Sequence, residues 1–406
     1  MHKANSRMDH SRQQTQGSVA EVFRAFLKLG ITSFGGPIAH LGYFRDELVI
    51  RRKWLSDTAY ADLVALCQFL PGPASSQVGF ALGLMRAGWG GALAAFLAFT
   101  LPSALFLLVL ALTASHLEGL WSLGIRHGLK IVAVAIVAQA VWGMARNLCP
   151  DKERVAIAVA AVILLAVMPG AGGMMGAILL GAAAGLGLGR GQARTGAQLA
   201  VPVSRGAGLV ALAVFVALLA GLPVLASLGQ GFALADSFYR AGSLVFGGGH
   251  VVLPLLQTET VAPGWVSNDA FLAGYGAAQA VPGPLFTFAA WLGAVMKPEP
   301  NGIAGAAIAL AALFLPGFLI LIGALPFWDQ LRHRVWAQSA MQGANAAVVG
   351  ILGMALYTPV FTSAIGGLPD LAVALICFVA LVAWKTPPWV VVLLAAAGGV
   401  ALRWIP

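Results

Sequence analysis

Long apolar stretches fill most of this chain, and short polar segments separate them. In the first half the clearest runs lie at roughly 90–115, 125–148, 152–168 and 172–189. A helix needs about 20 apolar residues to cross a bilayer, whereas a barrel strand needs only about 10. The lengths of these runs therefore predict an all-α polytopic membrane protein.

Two apolar runs are interrupted by the tripeptide Pro-Gly-Pro. Pro71-Gly72-Pro73 lies in the first half and Pro282-Gly283-Pro284 in the second. Proline lacks a backbone donor and clashes with the preceding turn, so neither run can continue as one helix. Lipid tolerates broken backbone at membrane depth only where the break is buried in protein or lines a wet cavity. Both tripeptides are therefore predicted to lie inside the protein.

The breaks belong to a longer, ordered set of residues that occurs twice. The first copy is Phe34-Gly35-Gly36-Pro37, Trp54, Gln68-x-x-Pro71-Gly72-Pro73, Leu101-Pro102, Trp121 and Gly128. The second copy is Phe246-Gly247-Gly248-Gly249, Trp265, Gln279-x-x-Pro282-Gly283-Pro284, Leu315-Pro316, Trp336 and Gly343. Phe34 and Phe246 are 212 positions apart, and Gly128 and Gly343 are 215 apart. Ordered recurrence with a slow drift in spacing indicates a duplicated unit.

Basic residues predict which loops are cytoplasmic. The linker between Gly189 and Gly208 contains Arg190, Arg194 and Arg205 and no acid, so it is predicted inside. If segments 20–42 and 58–86 each crossed the membrane, the basic loop at 45–53 would lie outside, against the rule. The conflict disappears if both segments are re-entrant hairpins that enter from the cytoplasm and turn back at their glycine-proline motifs.

The second half supports the same topology in the opposite orientation. A further apolar run at roughly 207–227 has no partner in the first half, and a single crossing there inverts everything after it. The loop from Leu256 to Asp269 contains acids and no base, as an outside loop does. We therefore predict two inverted repeats, each with two re-entrant hairpins, and nine crossing helices. Thirteen simple crossings are the alternative, which leaves the basic loop at 45–53 outside.

These predictions divide the chain into five segments. They are a cytoplasmic tail (1–18), an N-terminal transporter repeat (19–189), a cytoplasmic linker (190–206), an extra inverting helix (207–230) and a C-terminal repeat (231–406). The tail is polar and basic and has no apolar signal-peptide core.

The breaks also predict an anion site. A half-helix that begins after a break presents unpaired N–H groups and the positive end of its dipole, so it can bind an anion without a charged side chain. Ser75 and Ser76 open such a half-helix after Pro71-Gly72-Pro73, and Thr287 is the nearest hydroxyl after Pro282-Gly283-Pro284. These hydroxyls are candidates to bind an oxyanion. Alternatively, the serines only cap their own helix.

Other candidates surround the breaks. Gln68 and Gln279 stand three residues before each Pro-Gly-Pro, and either reach a bound ion or satisfy carbonyls that the prolines free. The candidates at the other two tips are Gly35, Gly36 and Pro37, and Gly247, Gly248 and Gly249. For these glycines, close helix packing is the alternative role.

Ionisable residues near the tips are candidates for electrostatic or coupling roles, because such groups are costly in a membrane. Lys28, His40 and Arg45 flank the first tip, and Arg240 and His250 flank the second. Arg45 either attracts an anion or belongs to the solvated loop. His250 is either a proton-coupling group or a core histidine bonded to a carbonyl.

Composition excludes several classes of function. Residues are 59% hydrophobic and 10% charged, and the net charge of +9 fits basic cytoplasmic loops better than nucleic-acid binding. Cys67, Cys149 and Cys377 are isolated, so no metal site, disulfide framework or cofactor is indicated. No H-E-x-x-H or G-x-S-x-G motif occurs, so an enzyme is not predicted. No acid lies mid-run, and Asp236 and Glu259 are expected at the outer surface, which favours an anionic substrate.

At the paired Gly-Gly and Pro-Gly-Pro motifs and the two tryptophans that follow the Gly-Gly tips, the chain resembles the chromate ion transporter family in its long two-domain form. The resemblance covers roughly 20–150 and 232–362. It implies a bacterial inner-membrane protein, with a cytoplasmic N-terminus in our topology, that exports chromate and confers chromate resistance. It also implies coupling to the proton gradient and inhibition by sulfate. Gly249 stands where the first repeat has Pro37, so the two tips need not be equivalent.

The physical chemistry of the expected site agrees with that resemblance. Chromate and sulfate are tetrahedral dianions of similar size, so a pocket of N–H groups and hydroxyls would bind either. The expected mechanism is alternating access around a site between the repeats. A transporter of sulfate or another oxyanion and a passive anion channel stay open as alternatives. The expected partners are the anion and the lipid bilayer, with no nucleic acid, and a homodimer is left open.

Overall fold

The computed structural model describes residues 17–114, 120–191, 202–246, 248–331 and 333–402. The predicted tail before residue 17, the linker segment 192–201, which includes Arg194, and Gly247 lie outside these ranges. Every regular element within them is helical, which confirms the all-α class.

The helices of the first half begin after a serine cap, Ser18, whose hydroxyl accepts the N–H of Glu21. They are α1 Val19–Thr32, α2 Gly36–Phe44, α3 Asp57–Phe69, α4 Ala74–Ala114, α5 Leu120–Leu148, α6 Lys152–Val167 and α7 Ala171–Leu188, with a π-helix at Arg45–Arg51. Ala87 and Gly88 are non-helical, so α4 is two helices joined at a kink.

The second half of the chain contains the helices after the linker. They are α8 Arg205–Leu225, α9 Gln230–Ser243, α10 Val252–Thr260, α11 Asn268–Gln279, α12 Phe288–Val295, α13 Gly302–Ala324, α14 Trp328–Leu331, α15 Val335–Ala355, α16 Thr362–Ala364, α17 Leu368–Val382 and α18 Pro388–Ala401. Short 3-10 helices at Gly249–Val251 and Leu285–Thr287 precede α10 and α12. Helices α1 and α9 both have 14 residues, and α2 and α10 both have 9.

Six helical segments of the described chain are long and apolar enough to cross a membrane, which confirms a polytopic membrane protein. They are Ala74–Thr113, Trp121–Leu148, Ala171–Leu188, Arg205–Leu228, Gly302–Leu331 and Val335–Ala364. At about 1.5 Å per residue, α1 and α2 are roughly 21 and 14 Å long, well short of the hydrocarbon core of about 30 Å. Neither can cross alone.

Small residues join the two halves. Helix α7 packs on α15, and α5 packs on α18, so each contact pairs one half with the other. A Cβ added at Gly343 would collide with the carbonyl oxygen of Gly181, and one added at Gly128 would collide with that of Ala395. Gly343 is the counterpart of Gly128. Since lipid gives apolar helices no hydrophobic reason to associate, close backbone approach of this kind stabilises the contact.

Ion pairs anchor the start of α6 beside the linker. Asp151 caps the helix by accepting the N–H of Arg154 at 2.9 Å, and its carboxylate also accepts from the Arg154 guanidinium at 2.7 Å. The bond from the Arg154 side chain contributes most, and together with the backbone bond it lowers the pKa of Asp151 to about 2. Asp151 therefore stays ionised, and the helix stays capped, at any physiological pH.

The glycine contact between α7 and α15 gives the first testable prediction. Gly343→Ala should lower the stability of the purified protein in detergent by about 1–3 kcal/mol, because the new methyl group has no room. Gly353→Ala is the matched control on the same helix, since nothing lies within 4 Å of its added Cβ. Thermal unfolding of both variants measures the difference, and equal midpoints would contradict the packing argument.

Candidate functional site

The two Pro-Gly-Pro breaks and the two Gly-Gly tips, four breaks in all, lie in one cluster where the two halves meet. The N–H of Gly72 donates to the carbonyl of Val245 at 2.7 Å, and the N–H of Gly283 donates to the carbonyl of Ser33 at 2.9 Å. Gly72 and Gly283 are repeat counterparts, as are Ser33 and Val245, so the two bonds are reciprocal in the manner of a two-fold interface. We call this group of segments, 33–37, 71–77, 245–246, 248–250 and 282–288, the break cluster.

The glycines of both Pro-Gly-Pro tripeptides also pack closely against the other half of the chain. The backbone of Gly72 has φ +120°, and an added Cβ would lie 2.9 Å from the Cα of Gly317. Gly283 has φ +101°, and its Cβ would lie 2.8 Å from the Oγ of Ser103. Gly317 and Ser103 each follow a proline within a long helix. Glycine is therefore required at both turns for backbone conformation and for space.

The other two tips need glycine for a different reason. Gly35 and Gly36 have φ +101° and +79°, and no atom lies within 4 Å of a Cβ added at Gly36. The alternative of close helix packing therefore does not explain Gly36, whose role is the left-handed turn. The second tip meets the first, since a Cβ added at Gly249 would lie 3.2 Å from the Cγ of Pro37.

Four helical segments begin in the break cluster. Helix α2 begins at Gly36 and α4 at Ala74, and the 3-10 helices that lead into α10 and α12 begin at Gly249 and Leu285. Neither α2 nor the two 3-10 helices have a side-chain cap. The first N–H groups of a helix have no intrahelical partner, and they form its positive end. The cluster therefore concentrates positive potential from backbone alone.

Polar side chains gather at the start of α4. The Oγ of Ser75 lies 3.4 Å from the Nδ1 of His40, and both side chains are buried. Among the described residues, the hydroxyl of Ser76 has no hydrogen-bond partner, and neither serine accepts a backbone N–H. The alternative that these serines only cap their helix is therefore not what the structure has.

Gln77, and not Gln68, is the glutamine that donates to backbone carbonyls at the first Pro-Gly-Pro break. Its Nε2 donates to the carbonyls of Pro71 at 3.0 Å and Gly317 at 2.8 Å. Gln68 itself is exposed and makes none of these contacts. Gln279 is partly buried, and its Nε2 has no partner in the described part of the chain.

The second half lacks the polar group that α4 presents. Ser75 and Gln77 have Phe286 and Phe288 as repeat counterparts, both fully buried. Thr287, the counterpart of Ser76, donates its hydroxyl to the carbonyl of Pro284 at 2.8 Å. Polar side chains are thus concentrated on the N-terminal side of the cluster. Gly247 lies outside the described residues, and Pro282 and Gly248 shape the turns.

His250 and the candidate cations all have partners. The Nδ1 of His250 lies 2.8 Å from the hydroxyl of Tyr275. Lys28 pairs with Glu47 at 3.0 Å, Arg45 with Asp57 at 2.7 Å at the surface, and Arg240 with Asp236 and Glu259, each at 2.9 Å. Burial alone would raise the pKa of Glu47, but hydrogen bonds from Lys28 and Arg52 outweigh it and hold the pKa below its usual value.

Two buried hydroxyls, those of Ser33 and Thr100, were not among the candidates that the sequence offered. The hydroxyls of Ser33 and Thr100 are buried without a partner within the described ranges, as is the Nε2 of His40. The sequence contains only a weak indication of them. Ser33 is a lone hydroxyl before Phe34, and Thr100 and Ser103 lie beside Pro102 in an apolar helix. No group of three or more His, Cys, Asp or Glu side chains that could hold a metal occurs in these ranges. Hydroxyl, imidazole and N–H donors suit an oxyanion.

Comparisons with known proteins agree with this chemistry. The family described as "Chromate transporter" matches residues 20–188 and 232–400. A chromate transport protein of Pseudomonas aeruginosa is 29% identical over 94% of this chain and 91% of its own length. A probable chromate transport protein of Synechococcus elongatus is 27% identical over 94% and 95%. A chromate transport protein of Cupriavidus metallidurans is 27% identical over 80% and 79%.

No solved structure matches the chain. The two segments that the family matches contain all four breaks and together span well over half of the sequence. The chain therefore belongs to the chromate transporter family, a family of membrane transport proteins and not of enzymes.

Proposed function

We propose that this chain transports chromate and binds it as a dianion in the break cluster. The observation that supports this most directly is that four helix starts meet, three of them without a side-chain cap. Buried hydroxyls that have no partner among the described residues lie beside them. Such donors stabilise a tetrahedral dianion without an unpaired cation. Relatives that span nearly the whole chain are named chromate transport proteins.

Within the cluster, the dianion binds on the N-terminal side. Ser75, Ser76 and the first N–H groups of α4 donate to its oxygens, and the ring of His40 lies behind Ser75. At the equivalent positions of the second repeat, Phe286 and Phe288 are buried and supply no polar group. This arrangement holds one anion per chain, displaced from the pseudo-two-fold relation between the repeats.

The transport cycle is alternating access between two inverted repeats, each with two re-entrant hairpins. Helices α1 and α2 are too short to cross singly, which supports hairpins over simple crossings. The reciprocal bonds of Gly72 and Gly283 give the repeats a self-complementary contact about which one can rock against the other. Basic residues around Glu47 support a cytoplasmic position for the first hairpin base and for the N-terminus.

The physiological direction is export across the bacterial inner membrane, driven by the proton gradient, and its consequence is chromate resistance. Its support is the family, together with relatives from bacteria. Sulfate has the same shape and charge as chromate, so it should enter the same site.

The serine pair gives a direct test of the site. Ser75→Ala with Ser76→Ala should raise the KM for chromate uptake into inverted membrane vesicles by about tenfold or more, since each hydrogen bond to a charged group contributes about 1.5–3 kcal/mol. Thr287→Ala is the matched control at the repeat counterpart of Ser76, because its hydroxyl is already donated to Pro284. An unchanged KM in the double variant, at normal expression, would refute the proposed site.

Anion competition and energy coupling test the mode of transport. Sulfate at equal concentration should inhibit chromate uptake competitively, because N–H groups and hydroxyls recognise the dianion by shape. An uncoupler should abolish accumulation against a gradient, as expected of an active transporter. Accumulation that never exceeds equilibrium, with or without the uncoupler, would indicate a passive channel instead.

A further inference from the structure

Both hairpins that carry the Gly-Gly tips are braced by the same ion pair. Lys28 on α1 contacts Glu47 at 3.0 Å, and Arg240 on α9 contacts Glu259 on α10 at 2.9 Å. Lys28 and Arg240 are 212 positions apart, and so are Glu47 and Glu259. The brace therefore occupies equivalent positions in the two repeats and ties one arm of each hairpin to the segment that follows its tip.

The charges around the two braces are opposite. Glu47 is one carboxylate with three cations, since Arg51 and Arg52 also contact it, at 2.7 and 2.9 Å. In the second repeat one guanidinium serves two carboxylates, because Asp236 also contacts Arg240, at 2.9 Å. With every group ionised, the first cluster has an excess of positive charge and the second has one uncompensated negative charge.

The two acids of the second cluster are largely buried within the protein, whereas Arg240 is one-third exposed. The side chains of Asp236 and Glu259 are 7% and 12% exposed. The Oδ1 of Asp236 is buried and has no hydrogen-bond partner among the described residues. A carboxylate oxygen in that position is poorly stabilised while it is charged.

No second cation compensates the cluster in the described part of the chain. Helices α7, α8, α11, α13 and α15 pack against α9 or α10. Besides the cluster itself, these helices, α9 and the 3-10 helix before α10 contain five ionisable groups. They are Arg205, Tyr239, His250, Asp269 and Tyr275. Asp269 pairs with Lys130, Tyr275 with His250, and Tyr239 with the carbonyl of Phe215. No ion pair joins Arg205 to either acid.

We propose that Asp236 and Glu259 form the binding site for the proton that is coupled to chromate transport. The inference rests on the proposed function. A proton from water bonds to a carboxylate oxygen of Asp236, removes the excess charge and leaves Arg240 fully available to Glu259. On release, the proton returns to water and Arg240 is again shared between the two acids. Because Glu259 lies on the other arm, protonation changes how firmly α9 is tied to α10.

The described part of the first repeat contains no equivalent proton site, although it has the same brace. Three cations keep Glu47 ionised, so its cluster is a fixed ion-pair network. The duplication has thus produced one rigid brace and one brace that responds to protons. This asymmetry gives a proton gradient a place to act in the second repeat.

Proteoliposomes separate coupling from transport. Asp236→Asn and Glu259→Gln should retain chromate counterflow, the exchange that needs no gradient, within about twofold of wild type. Both variants should lose accumulation driven by a pH gradient, by about tenfold or more. Asp57→Asn is the control, since it neutralises the carboxylate of an exposed ion pair with Arg45 and should retain both activities.

Each outcome has a separate meaning. Absence of counterflow in the wild type would refute the chromate function itself. Normal counterflow in the wild type, with gradient-driven accumulation intact in both variants, would refute the proton site alone. Loss of counterflow in both variants, in protein that remains monodisperse, would assign the acids a structural role and also refute it. The purified proteins can also be compared in weak buffer, without any transport assay. Proton uptake by the wild type that is absent in Asp236→Asn would support the site.

Discussion

A helix that stops inside a membrane leaves backbone N–H and carbonyl groups unpaired, and lipid chains cannot hydrogen-bond to them. This constraint explains the arrangement of the whole molecule. The N–H groups of Gly72 and Gly283 find carbonyls in the opposite repeat, and Gln77 donates to the carbonyl that Pro71 exposes. Gly72 and Gly283 are each thereby joined to a residue of the opposite repeat, 173 and 250 positions away along the chain. The uncapped helix starts supply the donors that we propose for the anion.

The same constraint accounts for the use of charge. The cations near the tips, Lys28 and Arg240, are both engaged with acids and brace hairpin arms. A dianion held by N–H dipoles and hydroxyls can leave as readily as it enters, because no buried ion pair has to be broken. Charged side chains are then available for other tasks at a distance from the anion.

Sequence patterning was sufficient for the class of fold and for the segments that meet at the break cluster. Apolar run lengths predicted the helical membrane protein, and the recurrence of Pro-Gly-Pro identified the segments that meet. Individual contacts were harder to predict. Gln68 stands in the motif but is exposed, whereas Gln77, one turn into α4, bonds the freed carbonyl. Which glutamine reaches Pro71 depends on how α13 lies against α4, and local sequence contains no such information. The burial of Asp236 was missed for the same reason.

The reciprocal contact between the repeats has a consequence for how such a protein can change over time. In a pair of identical chains every substitution appears twice, so serines introduced on one side of the contact would be introduced on the other. Joining the two units in one polypeptide removes that restriction. One side of this chain has Ser75 and Gln77, and the other has Phe286 and Phe288. A fused gene could keep the shared backbone contacts and give each half its own chemistry.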